Sequence, residues 1–240
     1  MTLSRPSQAD IFSRYDWYEQ SNLLFRLTAD RCDYIESRVD AVYGKHGFGQ
    51  QEFLEIGCGG GLICRELARR GAVVTGIDPS EKALSSARDY VQKASLGQFV
   101  WFEHGSAESL PYADGSFSAI VCLDVLEHVS DLAATLREIA RVLAPGGIFI
   151  FDTINRTLLS RLALIWIGER FFHKQGLVPG LHNYQMFIKP DEMRAHLVKN
   201  KLQLQELTGF MPTFVAGRLT LAPGWFKGVS YIGYATRSAT

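Results

Sequence analysis

Two groups of residues in this chain have types and spacings that could do chemistry. The first is Glu55-Ile56-Gly57-Cys58-Gly59-Gly60-Gly61, followed after a second apolar run by Asp78. Glycines let the chain turn sharply and bring backbone amides against a ligand, and an acid closing the next strand is placed to accept ribose hydroxyls. Leu62 stands where dinucleotide-binding loops want a small residue, and Glu55 would repel a pyrophosphate. A ligand with a ribose, a cationic centre and no phosphates suits this set better, and S-adenosylmethionine is such a ligand. The second group is Asp124, Glu127 and His128, within Leu123-Asp124-Val125-Leu126-Glu127-His128-Val129. If the chain turns helical there, positions i, i+3 and i+4 share one face. Two carboxylates and an imidazole on one face could hold a divalent ion such as magnesium through hard ligands, or could orient and deprotonate a phenol. The same run could also be a loop anchor.

The elements that must position these residues read as alternating strands and helices. Strands are expected over Phe53–Ile56, Val73–Ile77, Phe99–Glu103, Ala119–Leu123 and Ile148–Thr153, with helices starting at Leu62, Ser80 and Leu132. Such alternation predicts a parallel sheet with helices on both faces. An aromatic-rich stretch from Ile11 to Tyr43 reads as helical, and Lys45 to Gln51 as a linker. After Thr153 the pattern becomes irregular as far as Pro190; a helix over Asp191–Asn200 and strands over Leu202–Leu207 and Val229–Thr236 follow. One α/β domain is expected, divided into an N-terminal helical cap (1–50), a cofactor-binding half (51–154), an insertion (155–190) and a C-terminal part (191–240).

Bulk composition narrows the function classes. At 240 residues with 47% hydrophobic side chains, the chain can bury a full core. Its 25 basic and 25 acidic residues cancel, which removes the electrostatic footprint of a dedicated nucleic-acid binder. Cys32, Cys58, Cys64 and Cys122 have spacings that suit neither a redox pair nor a zinc site, so a reducing cytoplasm is expected. The first residues carry no apolar signal-peptide region, and the longest apolar run, Leu162 to Ile167, is too short to span a bilayer.

The glycine loop, Gly76-Ile77-Asp78-Pro79-Ser80, Gly105-Ser106-Ala107-Glu108-Ser109-Leu110-Pro111 and Leu143-Ala144-Pro145-Gly146-Gly147 resemble, in order, the motifs of class I S-adenosylmethionine-dependent methyltransferases. Within that class the chain is similar to the ubiquinone-biosynthesis O-methyltransferase family from about Arg14 to Arg237. The similarity is strongest over Leu54–Asp78, Asp124–Asp131, Ile154-Asn155-Arg156 and Phe187-Ile188-Lys189-Pro190.

The resemblance implies a Rossmann-like, seven-stranded sheet whose last strand is antiparallel. It implies that Gly57, Cys58, Gly59 and Gly61 lie under the methionine moiety, that Glu55 faces its ammonium or sulfonium, and that Arg31 meets its carboxylate. Asp78 would take the ribose and Ser106 and Ala107 the adenine, with Pro79 and Leu123 completing the set. It also implies a small phenolic methyl acceptor, S-adenosylhomocysteine as product, and a metal site after the fourth strand, where Asp124 replaces the more usual Glu. Tyr15-Asp16-Trp17-Tyr18, Phe25 and Thr28-Ala29 depart from the family pattern near the acceptor. Methylation at nitrogen, sulfur or carbon, an NAD-binding oxidoreductase and a silent cofactor-binding protein are the alternatives.

The segment from Arg156 to Phe172 carries Leu158, Leu159, Leu162, Ala163, Leu164, Ile165, Trp166 and Ile167; on a helix, Thr157, Ser160, Arg161 and Gly168 form a polar stripe with Leu159, Leu162 and Trp166 opposite, and Leu164 interrupts the pattern. It reads either as a lid or membrane-surface helix for a lipid-like acceptor, or as a helix buried against its own sheet.

Overall fold

Near-continuous apolar runs make good strands only when both faces are covered, and the central strands meet that condition. The computed structural model describes residues 15–171, 179–215 and 218–239. Strands β1 (Glu52–Ile56), β2 (Val73–Asp78), β3 (Val100–His104), β4 (Phe117–Cys122) and β5 (Leu143–Ile154) are parallel. They join β6 (Leu202–Val215), β7 (Arg218–Gly224) and β8 (Ser230–Arg237) in one sheet of order β3-β2-β1-β4-β5-β8-β6-β7. The closing strand β8 is antiparallel to both β5 and β6.

Helices α1 (Leu23–Tyr43), α2 (Leu62–Arg69) and α3 (Glu81–Lys93) cover one face, where Ile35, Leu67 and Leu84 pack on Phe53, Val74 and Val121. Helix α4 (Leu132–Val142) covers the other, with Leu136 and Ile139 against Leu54, Ile120 and Phe149. Phe53 and Leu54 are neighbours that face opposite ways, as strand geometry requires. Each such side chain, fully buried, contributes about 1.5–3 kcal/mol over leaving it in water. Side-chain caps start the helices: Asn22 accepts from Leu24 N–H, Ser80 from Ala83 N–H and Asp131 from Ala134 N–H.

Three expectations are corrected. Among the described residues the sheet has eight strands, not seven. Gly209, Pro212, Pro223 and Gly224 disguise the second half of β6 and the whole of β7; the latter tolerates proline because it is the edge strand. The N-terminal helix begins at Leu23, behind the Asn22 cap, and the segment from Tyr15 to Ser21 is turns and irregular chain; Ile11 and Phe12 lie outside the described residues.

The third correction concerns the segment after β5, which is not a core helix. It winds as an α turn (Leu158–Ser160), a π stretch (Arg161–Gly168) and a further α turn (Glu169–Phe171), together called α5. Its polar and small side buries Ser160, Gly168 and Glu169, while Leu158, Leu159, Leu162, Trp166, Ile167 and Phe171 are exposed. Helix α6 (Pro190–Lys199) follows and packs Met193 and Leu197 into the second face. Among the described residues no helix is long and apolar enough to cross a membrane.

Candidate active site

In an open parallel sheet, ligands bind beyond the carboxyl ends of the strands where the strand order reverses. Here that point lies between β1 and β4, and a cavity of about 250 Å³ opens there. Along the strand ends, from β3 to β4, stand Ser106 and Ala107, then Asp78 and Pro79, then Glu55, Gly57 and Cys58, then Leu123, Asp124 and His128. All of them line the cavity, and Arg31 and Thr28 reach it from α1.

The glycine loop has a reason at each position. Gly57 has a positive φ of 70°, and a Cβ there would sit 2.3 Å from Val125 Cγ2. At Gly59 a Cβ would meet the Trp17 ring at 2.3 Å, so the loop is roofed by an aromatic from the segment before α1. Gly59 and Gly61 are not among the lining residues: Gly61 faces Phe102 and Ala87, and Gly59 gives its N–H to Asp78 Oδ2 at 2.9 Å. Asp78 also accepts from Ser80 N–H, at 2.8 Å. Burial raises the Asp78 pKa above the usual carboxylate range, against the pull of these two N–H groups.

Glu55 sits on the middle of the sheet with its carboxylate against the first turn of α2, where Cys64 N–H donates to it at 2.8 Å. Burial still dominates and pushes its pKa up to about 7. Glu55 is thus an anionic site that is costly to leave charged without a cation.

Asp124, Glu127 and His128 do not share a helix face. Asp124 has a positive φ of 54°, and the chain from Leu126 to His128 is a turn, with His128 N–H donating to Val125 O. The three side chains diverge to separate partners. Asp124 pairs with Arg31 Nη2 at 2.5 Å, and Glu127 accepts from the Thr153 hydroxyl at 2.7 Å. His128 stacks on His182, with ring centroids 5.6 Å apart. Among the described residues no three His, Cys, Asp or Glu side chains converge to hold a metal ion. The expected metal set of Asp124, Glu127 and His128 does not fit a divalent ion.

Strand β5 supplies two residues that sequence reasoning missed. Asp152 accepts Asp124 N–H at 2.6 Å and lies 3.7 Å from Arg31, and Thr153 holds Glu127. The signal was a polar pair ending an otherwise apolar strand. Burial works against the Arg31 guanidinium, but Asp124 and Asp152 outweigh it and raise its pKa. Arg31 Nε nonetheless remains buried without a hydrogen-bond partner.

His182 and Glu169 were missed as well. Glu169 was legible as an acid closing the apolar run of α5, whereas nothing in the sequence marked His182. Burial, and then the neighbouring His182, depress the His128 pKa to about 4, so its imidazole is neutral at pH 7.

The buried carboxyls make the unliganded protein pH-sensitive. Burial raises Glu55 and Glu127 from an ordinary 4.5 to about 7, and the Asp124 charge adds to the rise at Glu127. The folded chain holds two protons that the unfolded chain has released, so this stabilisation is full below about pH 4.5 and is lost as pH rises through about 7. The expected loss is about 3 kcal/mol per carboxyl. His128, depressed from 6.5 to about 4, contributes a rise over the lower part of the same window, so the check is a difference: in urea denaturation at the two ends of the window, Glu127→Gln should fall less than wild type by about 3 kcal/mol.

Comparison with known proteins accords with this geometry. Residues 54–151 match the model of a methyltransferase domain. The ubiquinone biosynthesis O-methyltransferase of Xanthomonas oryzae pv. oryzae (strain PXO99A) is 35% identical over 216 residues, which cover 89% of this chain and 84% of the relative. That of Agrobacterium fabrum (strain C58 / ATCC 33970) is 31% identical over 243 residues, covering 97% and 95%. The fold is shared with magnesium protoporphyrin IX methyltransferase from Synechocystis PCC 6803, solved with bound S-adenosylhomocysteine (TM-score 0.61, 24% identity, covering 88% of this chain and 84% of that one). An S-adenosylmethionine-dependent methyltransferase by domain and fold, the chain belongs to the ubiquinone biosynthesis O-methyltransferase family.

Proposed function

We propose that this enzyme methylates a hydroxyl of a catechol or hydroquinone carrying an apolar tail. The observation that carries the reading is the order of groups along one cavity: hydroxyl acceptors and anions from β3 to β1, then His128 beyond β4. In that order Ser106 and Ala107 receive the adenine, Asp78 the ribose hydroxyls, and Gly57 the chain approaching the sulfonium. Glu55 faces the positive end of the methionine moiety, and the orphaned Arg31 Nε suits its carboxylate.

The cofactor supplies an electrophilic methyl group; the chain's own residues must align an oxygen behind it and exclude water. A protonated phenol is a poor nucleophile, so a neutral imidazole in the same cavity accelerates transfer by accepting the proton as the bond forms. His128 meets that need. Glu127 does not line the cavity; bonded to Thr153 and raised to about 7, it is a buried proton holder on the same turn as His128. A screen of alkyl catechols, quinols, amines and thiols with S-adenosylmethionine tests the reading. Turnover on the phenols alone is expected; preference for an amine or thiol overturns it.

Peripheral contact with a lipid surface through 156–172 belongs to the same proposal. Leu158, Leu162, Trp166 and Phe171 are exposed on α5, which also exposes Arg161 and Arg170. Exposed Trp225 and Phe226 extend the patch, because Thr157 donates to Gly228 O and fixes that loop beside α5. Apolar side chains flanked by cations suit the interface of an anionic bilayer. Cosedimentation with phosphatidylglycerol vesicles is expected, reduced about tenfold or more when Leu162 and Trp166 both become Ser. Equal partition of the variant sinks this surface.

A further inference from the structure

His128 lies on a short turn, where no helix face fixes its ring, and a proton acceptor must hold its lone pair in one direction. A ring from elsewhere in the chain packs against it. His182 places its ring 5.6 Å from that of His128 at an interplanar angle of 30°, and Phe187 meets the His182 ring edge-on at 6.0 Å. His182 is 7% exposed and does not line the cavity.

The His182 ring is itself held. Glu169 Oε1 lies 3.0 Å from His182 Nδ1 and also accepts His182 N–H at 2.8 Å, while Oε2 accepts Gly180 N–H at 2.7 Å. Burial opposes the charge on this carboxylate, and the His182 and Gly180 donors more than offset it, so its pKa lies below the usual range. An ionised carboxylate can only accept, so Nδ1 must carry the proton and donate. One carboxylate thereby fixes the ring's tautomer, its plane and the backbone leading into it.

We propose that His182, held by Glu169, is a positioning residue that sets the orientation of the His128 imidazole towards the methyl acceptor. The proposal rests on the reading of His128 as the proton acceptor. It assigns a part in turnover to a segment outside the cofactor machinery, with His182 acting through His128 rather than on the substrate.

The test uses the full chain, S-adenosylmethionine and a 4-alkylcatechol, with kcat and KM measured for each substrate. His182→Asn keeps a donor for Glu169 and removes the stacked ring; His182→Phe keeps a ring and removes the donor. Both should lower kcat by about tenfold to a hundredfold. KM for S-adenosylmethionine and the calorimetric affinity for S-adenosylhomocysteine should stay unchanged. Glu169→Gln, which still accepts hydrogen bonds, should recover most of the turnover that Glu169→Ala loses.

Unchanged kcat in His182→Asn overturns the proposal, as does a loss of product affinity in step with kcat. His128→Ala separates the two readings. If it stays active, the proton-acceptor reading fails and this one with it. If it is inactive while His182→Asn is not, only the positioning role fails. Should the His182 variants not fold, nitrogen NMR of the wild-type protein decides: a single Nδ1-protonated tautomer at His182 supports the proposal, and an averaging ring overturns it.

Discussion

Replacing His128 with alanine is expected to lower turnover on a catechol by about 100-fold or more, the usual contribution of a positioned general base. The imidazole lines the cavity, and burial keeps it neutral down to about pH 4, so it enters the reaction able to accept a proton. That low pKa also makes it a weak base towards a free phenol; it gains strength only as the forming C–O bond acidifies the hydroxyl. His128 itself should therefore contribute no acid limb near an ordinary histidine pKa; a limb near pH 7 belongs to Glu55 and Glu127. Calorimetry of S-adenosylhomocysteine should give wild-type affinity in the variant, because Asp78, Glu55 and Arg31 are untouched. Full turnover in the variant would make the segment from Asp124 to His128 a loop anchor only. A chelator provides the companion measurement. Since Asp124, Glu127 and His128 each hold a separate partner, turnover should survive it.

The second large effect falls on cofactor affinity. Asp78→Ala removes a carboxylate that faces the cavity and also clamps the glycine loop through Gly59 N–H and Ser80 N–H. Loss of one charged hydrogen bond costs about 1.5–3 kcal/mol, so affinity for S-adenosylmethionine should fall by at least about tenfold. Loosening of the loop adds to that figure. Asp78→Asn keeps an oxygen that can accept one of the two N–H bonds and should fall between wild type and alanine. Unchanged affinity in the alanine variant would remove Asp78 from the cofactor site.

The parallel core was legible because its signals are local. Apolar runs, glycine turns and the capping residues Ser80 and Asp131 each declare themselves within a few positions. That Glu55, Gly57 and Asp78 line one cavity was legible for the same reason, since they lie on consecutive strand ends. What escaped was non-local or disguised. Strand β7 hides behind Pro223 and Gly224, and only its pairing with β6 makes it a strand. The Asp124 to His128 run has helical spacing, but Asp124 adopts a positive φ, its N–H bonds to Asp152 on β5, and the helical face never forms. Helix α5 has an amphipathic pattern whose sign only the fold decides: Glu169 and Ser160 turn inward because Gly180, His182 and Asn155 offer them partners.

The edge strand that sequence patterns concealed also bears on how the chain comes together. Asp30 of α1 accepts the N–H of Leu221 on β7, a contact spanning 191 residues, and one position along that helix is Arg31. Contacts of such separation close late, after the loop entropy between them has been overcome. During synthesis the strands β1 to β5 emerge with their glycine turns in place and α1 can pack Ile35 on them, yet Asp30 meets its partner only once β7 has left the ribosome. The helix that carries Arg31 into the cavity wall thus gains one of its fixings only after the far edge of the sheet is in place.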